Sequence, residues 1–484
     1  MTAFVTKQTF LEGRACLTRG WYAHHASGDA PGHGMQWRFW VGADVARRVR
    51  DWLGDGRELR RTPIEAAAEE TRAATDAATD ALLYETTFTW NGLVARADAL
   101  RRAAGAWDLI EIKSGKSKDD EVSEEYLDDI AYTWCVAQGA GLALGRATLI
   151  LINRDYRLNG TADMFALVDV TDEARSRAAT FAAMAPPIVA AAANDTRPEP
   201  VLNFACRNCE WFASDCVGKD IPDPLFVLPR LSKPKFEQLK GYERITRLPA
   251  TAELTENQQR IADVIRSGAP SLDPIALRVL DDVRWPVRYL DFEAVMPHLP
   301  WFDETAPYEV LPFQYSVHTI ASPGAAPSHA AYLAAHEGDW RRDLAERLLE
   351  DLGASGSIVV YSSYEQQRVK ALAESFPDLR EPLLALLPRL FDLEVVFKKG
   401  YCHPGFAGRT SIKKVLPVMV PALSYAGLPV NNGDDALGLF ALMRVGAIDD
   451  AQVPGLREQL LEYCHLDTLA MLRLHEEVGR VRGA

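Results

Sequence analysis

The sequence has no long apolar run, no internal repeat and no long low-complexity segment. Its amino terminus, MTAFVTKQTFLEGRACLTRG, lacks the uninterrupted apolar core that a signal peptide needs. The most apolar stretch, FAAMAPPIVAAAAN at residues 181–194, is too short to span a bilayer and contains Pro186 and Pro187. We expect a buried or domain-covering pair of helices there. The sequence therefore indicates neither secretion nor a membrane span, and we expect a cytoplasmic protein.

Positive charge is also in short supply. The 53 lysines and arginines are outnumbered by 67 acidic residues, which gives a formal net charge of −14. This balance argues against a generally polycationic coat for nucleic acid. It does not exclude an enzyme that binds phosphates through local basic patches and metals.

The length of 484 residues exceeds what one ordinary hydrophobic core accommodates, so two domains are expected. Residues 1–220 begin with helical patterns and continue with strands whose turns contain Asn91-Gly92 and Gly105. A helix and a further strand, RATLILINRDY, complete a mixed α/β domain. Residues 221–284 carry repeated prolines and predict a connector with short helices. The sequence thus predicts two folded regions joined by this connector.

Residues 285–484 predict a second α/β domain. Its expected strands are VRYLDFEAV, FQYSVHTI, AAYLAA and SIVVYSS. Its expected helices include WRRDLAERLLEDLG and REQLLEYCHLDTLAMLRLHEEV at the carboxyl end.

A first set of chemically significant residues lies in VARADAL and DLIEIKSG. Glu111 and Lys113 are two positions apart on a predicted strand and share one face, and Asp98 lies on the preceding strand. Phosphodiester hydrolysis needs carboxylates that hold Mg²⁺ or Mn²⁺ and a cation that steadies the water or the phosphate. The alternative is the solvated face of a sheet. We favour an active site.

These residues resemble the motif of the RecB-type PD-(D/E)XK nucleases, which include CRISPR-associated exonucleases and the AddB subunit of the recombination nuclease. The resemblance implies a restriction-endonuclease-like fold, a divalent metal held by Asp98 and Glu111, and a catalytic Lys113. Glu85, in LLYETTF, is a further candidate metal ligand. The sequence departs from the family in two places. VGADVARRV has no histidine, and Thr133 stands near the expected glutamine.

Cysteine is rare, and its placement is uneven. The chain has seven cysteines, an odd number without an export signal, which favours reduced thiols and metal ligation over disulfides. Cys206, Cys209 and Cys216 are closely spaced, and Cys16 is the best candidate for a fourth ligand because iron-sulfur clusters and zinc both usually take four. Spacing alone leaves both metals open. The remaining three are expected to be buried, apolar-like residues: Cys135, Cys402 and Cys464.

The order of these cysteines resembles the iron staple of the same nucleases, with one cysteine before the core and three after it. The resemblance implies a 4Fe-4S cluster, with zinc as the alternative. Because the ligands would join the two ends of the domain, the expected role is a structural clasp.

A second set of acidic residues lies in the carboxyl-terminal region. Asp291 and Glu293 are two apart on one strand, Glu365 follows a later strand, and Asp467 lies on the last helix. Taken singly, each is more often surface charge than a catalytic group. Tyr463 precedes Asp467 by one helical turn and shares its face.

Together these residues resemble the DnaQ-like exonucleases of the RNase H-like fold. The resemblance implies two metal ions held by the four acids, which stabilise the attacking and leaving oxygens, and a tyrosine that orients the attacking water. Glu365 stands where aspartate is more usual, and His465 is interpreted as a surface or packing residue. Asp392 is a further acidic candidate, which could equally begin a strand or cap a helix.

The two regions in combination resemble a bacterial family that joins a RecB-like nuclease to an RNase H-like domain. The segments that carry this resemblance are DFE, PFQYSVH, SIKKVLP and YCHLDT. A nearby group of cations suits phosphate contact, with a solvated loop as the alternative of equal weight; it comprises Lys398, Lys399, Arg409, Lys413 and Lys414.

The sequence therefore predicts a metal-dependent nuclease that hydrolyses DNA, acts from ends, and serves repair, recombination or defence against foreign DNA. One alternative is a nucleic-acid-binding module in which one or both sites are degenerate. Another is an RNA-processing exonuclease, since nothing in the sequence reads a 2′-hydroxyl. Protein partners cannot be predicted.

Overall fold

A computed structural model describes residues 4–26, 30–118 and 121–483. The chain divides into two compact units. The first consists of Met1–Ala30, Arg38–Asp220 and Pro297–Glu309, and the second of Pro31–Trp37, Ile221–Met296 and Val310–Ala484. Residues 221–284, predicted as a connector, belong to the second unit.

The amino-terminal part of the chain is α/β, as predicted. Its helices are α1 (Lys7–Ala15), α2 (Leu17–His25), α3 (His33–Leu53), α4 (Ile64–Ala77), α5 (Glu124–Gly139) and α6 (Thr171–Ala192). Its strands are β1 (Arg57–Glu58), β2 (Leu82–Trp90), β3 (Leu93–Ala103), β4 (Ala106–Lys116), β5 (Leu144–Ile152) and β6 (Phe165–Asp169).

These six strands form one sheet in the order β1-β2-β3-β4-β5-β6. The pairs β2–β3, β3–β4 and β5–β6 are antiparallel, whereas β1–β2 and β4–β5 are parallel. The predicted turns join β2 to β3 at Asn91-Gly92 and β3 to β4 at Ala104-Gly105, and all four residues have positive φ angles. Two-residue turns of this kind match the twist of the strands and place β3 and β4 in tight register.

Helix α6 corrects the prediction of a helix pair at residues 181–194. It is one helix that continues through Pro186 and Pro187. Each proline removes a backbone hydrogen bond, but Phe181, Ala185 and Ile188 recur at helical spacing and are buried in the core of the first unit. Burial of this apolar face keeps the helix continuous.

The second unit is also α/β. Its helices are α7 (Lys233–Leu239), α8 (Glu256–Ser267), α9 (Arg341–Leu352), α10 (Tyr364–Ser375), α11 (Arg380–Leu384), α12 (Ile412–Met419), α13 (Gly433–Arg444) and α14 (Val453–Gly483). Its strands are β7 (Ser271–Leu272), β8 (Val287–Val295), β9 (Leu311–Ile320), β10 (Ser328–Leu333), β11 (Ser357–Val360), β12 (Leu390–Asp392) and β13 (Tyr401–Cys402).

Five strands of this unit form a sheet in the order β10-β9-β8-β11-β12. The first three run antiparallel, and β11 and β12 continue parallel to β8. The long helix α14 packs on β8 and β9. The core between them contains Tyr289, Met471 and Leu474. Strand β8 is thus at the centre of the sheet and faces α14.

Short helical turns connect these elements. The 3₁₀ turns lie at Phe204–Asn208, Val217–Asp220, Leu225–Val227, Lys240–Tyr242, Ile245–Arg247, Ala276–Asp282, Leu387–Arg389 and Pro404–Phe406, and a π-helical turn at Val396–Gly400. Among the described residues, no helix is both long and apolar enough to cross a membrane.

Candidate functional sites

The predicted residues of the first unit gather on neighbouring strands. Asp98 lies on β3, and Glu111 and Lys113 lie on β4. The carboxylate of Asp98 accepts a hydrogen bond of 2.7 Å from the backbone N–H of Ile112. Lys113 Nζ lies 3.2 Å from Glu111 Oε1. Glu111 is only 2% exposed, which rules out the alternative of a solvated sheet face.

Two residues that the sequence interpretation missed complete this cluster. Lys7, at the start of α1, places Nζ 2.8 Å from Glu111 Oε1 and 3.2 Å from Asp129 Oδ2. Asp129, on α5, also pairs with Lys113. An acidic pair in the otherwise apolar helix YLDDIAY was a usable signal for Asp129. Lys7 carries no such signal, because 104 positions separate it from Glu111.

Burial and neighbouring charges change the pKa values of the residues in this cluster. Burial, followed by the charge of Glu111, raises the pKa of Asp98 to about 7. Burial opposes ionisation of Asp129, but Lys7 and Lys113 outweigh it and lower its pKa. Burial likewise opposes charging of Lys113, yet Glu111 and Asp129 raise its pKa. The cluster therefore compensates most of its own charge.

One carboxylate oxygen of the cluster, Glu111 Oε2, differs from the others in its hydrogen bonding. Among the described residues, Glu111 Oε2 is buried without a hydrogen bond. A buried carboxylate oxygen in that state is costly unless a cation or a donor satisfies it. Glu111 thus retains one oxygen, Oε2, that can coordinate a cation.

Glu85 is placed differently from its prediction as a metal ligand. It has a positive φ angle of 58° and interrupts the pairing of β2 with β3 between Tyr84 and Thr86. Its carboxylate is bound by the guanidinium groups of Arg50 and Arg61, the latter at 2.6 Å. Two arginines already neutralise this carboxylate, so the structure argues against the metal role predicted for it.

Thr133 has a structural contact on α5. It is fully buried, and its hydroxyl donates to the carbonyl of Asp129, four residues earlier, at 3.3 Å. This bond fixes the turn of α5 that carries Asp129.

The four cysteines predicted as ligands line one small cavity. Cys16 caps α1 and precedes α2, whereas the other three follow α6; all four border the same space together with Phe212. Burial, followed by the proximity of the other thiols, raises the pKa of Cys206. The structure therefore brings together residues 190 positions apart, and the ligation of a metal remains a prediction.

The acids of the second unit also gather. Asp291 and Glu293 lie on β8 and Asp467 on α14, and one carboxylate oxygen from each lies within 4.8 Å of the others. Glu365, in the first turn of α10, is 3% exposed. Its Oε2 is buried without a hydrogen bond among the described residues.

Mutual repulsion and burial shift these acids strongly. Burial, then the charges of Asp467 and Glu293, raises the pKa of Asp291 well above its usual value. Burial raises the pKa of Glu293 to about 8 and that of Glu365 to about 8. For Asp467 burial raises the pKa to about 6, against hydrogen bonds from tyrosines and the charge of Lys413. Three acids with carboxylate oxygens within 4.8 Å of one another are hard to ionise together.

A tyrosine, a lysine and a second tyrosine border this acidic cluster. The hydroxyl of Tyr463 accepts a hydrogen bond of 3.0 Å from Lys413 Nζ. Tyr425, which the sequence interpretation missed, donates to Asp467 Oδ1 at 2.6 Å. A cavity of about 310 Å³ opens beside Asp291 and Asp467 and is also lined by Tyr361, Ser362, Glu394, Ser411, Ile412 and Met471.

The other predicted candidates near this cavity have varied positions. Asp392 ends β12, is half-buried, and accepts a 2.9 Å hydrogen bond from the backbone N–H of Glu394. Lys398 pairs with Glu394 at 2.5 Å. Of the predicted cations, Lys413 contacts Tyr463. The other four are exposed: Lys398, Lys399, Arg409 and Lys414.

The three cysteines predicted to be buried are buried: Cys135, Cys402 and Cys464. Cys464 Sγ lies 3.8 Å from Asp291 Oδ2, so it packs against the acidic cluster. His465 is partly exposed, but it is not an isolated packing residue. It lies beside His318 and His329.

Comparison with known protein families adds an independent observation. Residues 13–214 match the PD-(D/E)XK nuclease superfamily. This stretch contains Asp98, Glu111, Lys113 and three of the four clustered cysteines, whereas Cys216 lies two residues beyond its end. The match confirms the prediction at the level of the superfamily. Residues 288–411 match a domain of unknown function (DUF2779), which contains Asp291, Glu293 and Glu365. A search of curated proteins found no match for the chain.

Proposed function

We propose that this protein is a metal-dependent nuclease that hydrolyses DNA from its ends and has a nuclease-like site in each unit. The observation that carries the proposal is the clustering of Asp98, Glu111 and Lys113 on adjoining strands within the stretch that matches the superfamily. Repair, recombination or defence against foreign DNA are the processes that need such an activity.

The first site fits a divalent metal. Asp98 and Glu111 would hold it, and the unsatisfied Glu111 Oε2 is a position that a cation would complete. When bound, Mg²⁺ or Mn²⁺ activates water and neutralises charge on the phosphate. Lys113, paired with Asp129 in this structure, is positioned to steady the water or the phosphate.

The second site supports an RNase H-like, DnaQ-like assignment. Its sheet has three antiparallel strands followed by two parallel ones, and Asp291, Glu293 and Asp467 meet where β8 faces α14. Two buried acids, Glu365 and Asp467, and two partly buried ones, Asp291 and Glu293, all have raised pKa values. This combination fits a site completed by divalent cations. Tyr463 would orient the attacking water, and Lys413 would hold its hydroxyl in place.

End-labelled linear DNA, single- and double-stranded, tests the proposal when it is compared with circular DNA and RNA in Mg²⁺ or Mn²⁺. Lys113→Ala and Asp291→Ala should each reduce cleavage at their own site by at least about 10²-fold, because each removes a charge that acts on the reacting phosphate or its metal. Matched controls are Lys116→Ala, on the same strand β4, and Glu374→Ala, an exposed acid on α10.

Unchanged cleavage in both variants would show that both assigned sites are wrong. Cleavage of circular DNA at the rate of linear DNA would contradict action from ends. Preferential cleavage of RNA would favour RNA processing over DNA hydrolysis.

A second function is favoured by two contacts of Glu111. Lys7 and Lys113 both bind Glu111 Oε1, at 2.8 Å and 3.2 Å, and so occupy an oxygen that a metal would use. The first site would then be degenerate and grip nucleic acid without cutting it. Wild-type protein that binds DNA but never cleaves it would support this function.

We also assign a 4Fe-4S cluster to Cys16, Cys206, Cys209 and Cys216, with zinc as the alternative. The shared cavity of the four thiols supports four-coordinate ligation, and the sequence separation of Cys16 from the others suits a clasp between chain segments. Chemical analysis of protein purified without oxygen should find iron and sulfide. Cys206→Ser should lose both, whereas Cys402→Ala should retain them. Stoichiometric zinc without iron would establish the alternative.

A further inference from the structure

Three histidines of the second unit lie together on the side of the sheet that faces α14. His318 is on β9, His329 is its direct partner on β10, and His465 is on α14. One ring nitrogen from each lies within 4.8 Å of the others. The ring centroids are separated by 4.5 to 4.7 Å in all three pairs.

Two hydroxyl groups connect two of these rings to each other. Ser316 Oγ lies 2.9 Å from His329 Nε2, and Thr468 Oγ1 lies 2.8 Å from His318 Nδ1. The two hydroxyls are themselves 2.7 Å apart. The network ends at the carbonyl of His465, which accepts from Thr468 at 3.2 Å.

The end of this network determines the direction of every hydrogen bond in it. A carbonyl can only accept, so the Thr468 hydroxyl donates to His465. Thr468 Oγ1 must then accept from Ser316 and from His318 Nδ1–H. Ser316, having donated its proton, must accept from His329 Nε2–H. In neutral rings the lone pairs are therefore on Nε2 of His318 and Nδ1 of His329.

From this geometry we propose that His318, His329 and His465 form a binding site for a divalent transition-metal ion of the zinc type, separate from the acidic cluster. Imidazole nitrogens suit zinc, copper or nickel, whereas Mg²⁺ prefers oxygen ligands. Three protein ligands with one open position are typical of zinc sites that bind water or substrate. Ser316 and Thr468 would orient the rings of His329 and His318 through hydrogen bonds to the ring nitrogens that do not bind the metal.

The site is also accessible and preorganised. His318 is 4% exposed and held by Thr468, whereas His329 is exposed on β10, so an ion can enter from the His329 side. Ser316 lies directly opposite Asp291 in the pairing of β8 with β9. The proposed site is thus next to the acidic cluster on the same sheet face, with different ligand chemistry.

The test is a zinc titration of the full chain, prepared without a histidine tag and stripped of metal. Wild type is compared with His329→Ala and with the matched control His336→Ala. X-ray absorption at the zinc edge separates nitrogen-bound from sulfur-bound zinc, because the four clustered cysteines are a competing site. Wild type and His336→Ala should each bind one zinc with nitrogen ligands, and His329→Ala should weaken that binding by at least about 100-fold.

Ser316→Ala is a second variant that leaves all three ligands in place. It should weaken nitrogen-bound zinc by about 10-fold, since it removes the hydrogen bonds of Ser316 to His329 and Thr468 but no ligand. If His329→Ala fails to fold, Ser316→Ala still tests the proposed zinc site. Equal zinc affinity in wild type, His329→Ala and Ser316→Ala would overturn the proposal, as would zinc bound through sulfur alone. Nuclease activity has no part in this readout, so the outcome is independent of the proposed function.

Discussion

The two acidic clusters of this protein balance their charge in opposite ways. In the first unit, Lys7 and Lys113 lie between Glu111 and Asp129 and pair with both. In the second unit, one carboxylate oxygen from each of three acids lies within 4.8 Å of the others. Among the residues that the structure describes, Lys413 bonds to Tyr463 and to a backbone carbonyl rather than to an acid.

This difference determines what each cluster would release when a metal binds. Buried opposite charges in good geometry offset their own desolvation, so the first cluster is held by ion pairs. Buried like charges can relieve their repulsion only by binding protons or cations, so the second depends on what it binds. A metal would displace lysine contacts in the first cluster and protons in the second.

The largest expected effect is that of Lys113→Met on the metal-free protein. It should lower the free energy of unfolding of the first unit by about 3 kcal/mol, because it leaves buried Glu111 and Asp129 with one lysine fewer. Hydrogen exchange of β4 amides measures this change. Lys116→Met, exposed on the same strand, should change it by less than about 0.5 kcal/mol. Equal effects of the two changes would contradict the ion-pair account.

A smaller effect of opposite sign is expected for Asp291→Asn without metal. Removing one of the repelling charges should raise the free energy of unfolding of the second unit by about 1 kcal/mol, because like charges in a buried cluster destabilise the folded state. Exchange of β8 amides provides the measurement, and Glu374→Gln on α10 is the control. Destabilisation by Asp291→Asn would mean that repulsion does not dominate this cluster.

The smallest of these effects on stability is expected in the pH dependence of thermal unfolding. Glu293 and Glu365 have pKa values of about 8 and Asp467 of about 6, all raised above the unfolded values. The folded second unit therefore binds more protons than the unfolded chain, and its stability falls as pH rises from about 5 to about 8. In the first unit, the lowered pKa of Asp129 acts in the opposite direction at acidic pH.

Saturating Mg²⁺ should flatten this slope in the second unit, because the ion replaces the protons. The control is Glu374→Gln, which should keep the wild-type slope in both conditions. If the thermal midpoint of the metal-free protein rises over the same pH range, the result contradicts these pKa shifts.

Much of the local arrangement at both sites was predictable from the sequence. Strand spacing predicted that Glu111 and Lys113 share a face, and the short turn at Gly105 placed Asp98 on the adjoining strand. Helical spacing predicted that Tyr463 and Asp467 share a face of α14. These are features of neighbouring residues, for which the backbone repeat is decisive.

Other features depended on packing that the sequence does not display. Helix α6 continues through two prolines because its apolar face is buried, although prolines alone predict a break. Glu85 resembled a metal ligand by position, yet Arg50 and Arg61 bind it. His465 was interpreted as a surface or packing residue because it does not fall at the position of the alternative histidine of DnaQ-like exonucleases, yet it lies beside His318 and His329, which are far from it in sequence.

The sequence by itself determined the α/β class of both regions, the strand and helix that carry each acidic pair, and the four cysteines that gather in one cavity. Only the tertiary structure decided which charges meet: Lys7 with Glu111, Tyr425 with Asp467, and the three histidines with one another. The physical reason is the separation along the chain over which each effect acts. Periodicity fixes neighbours along a helix or strand, whereas burial of whole faces brings distant side chains together and sets their charge states.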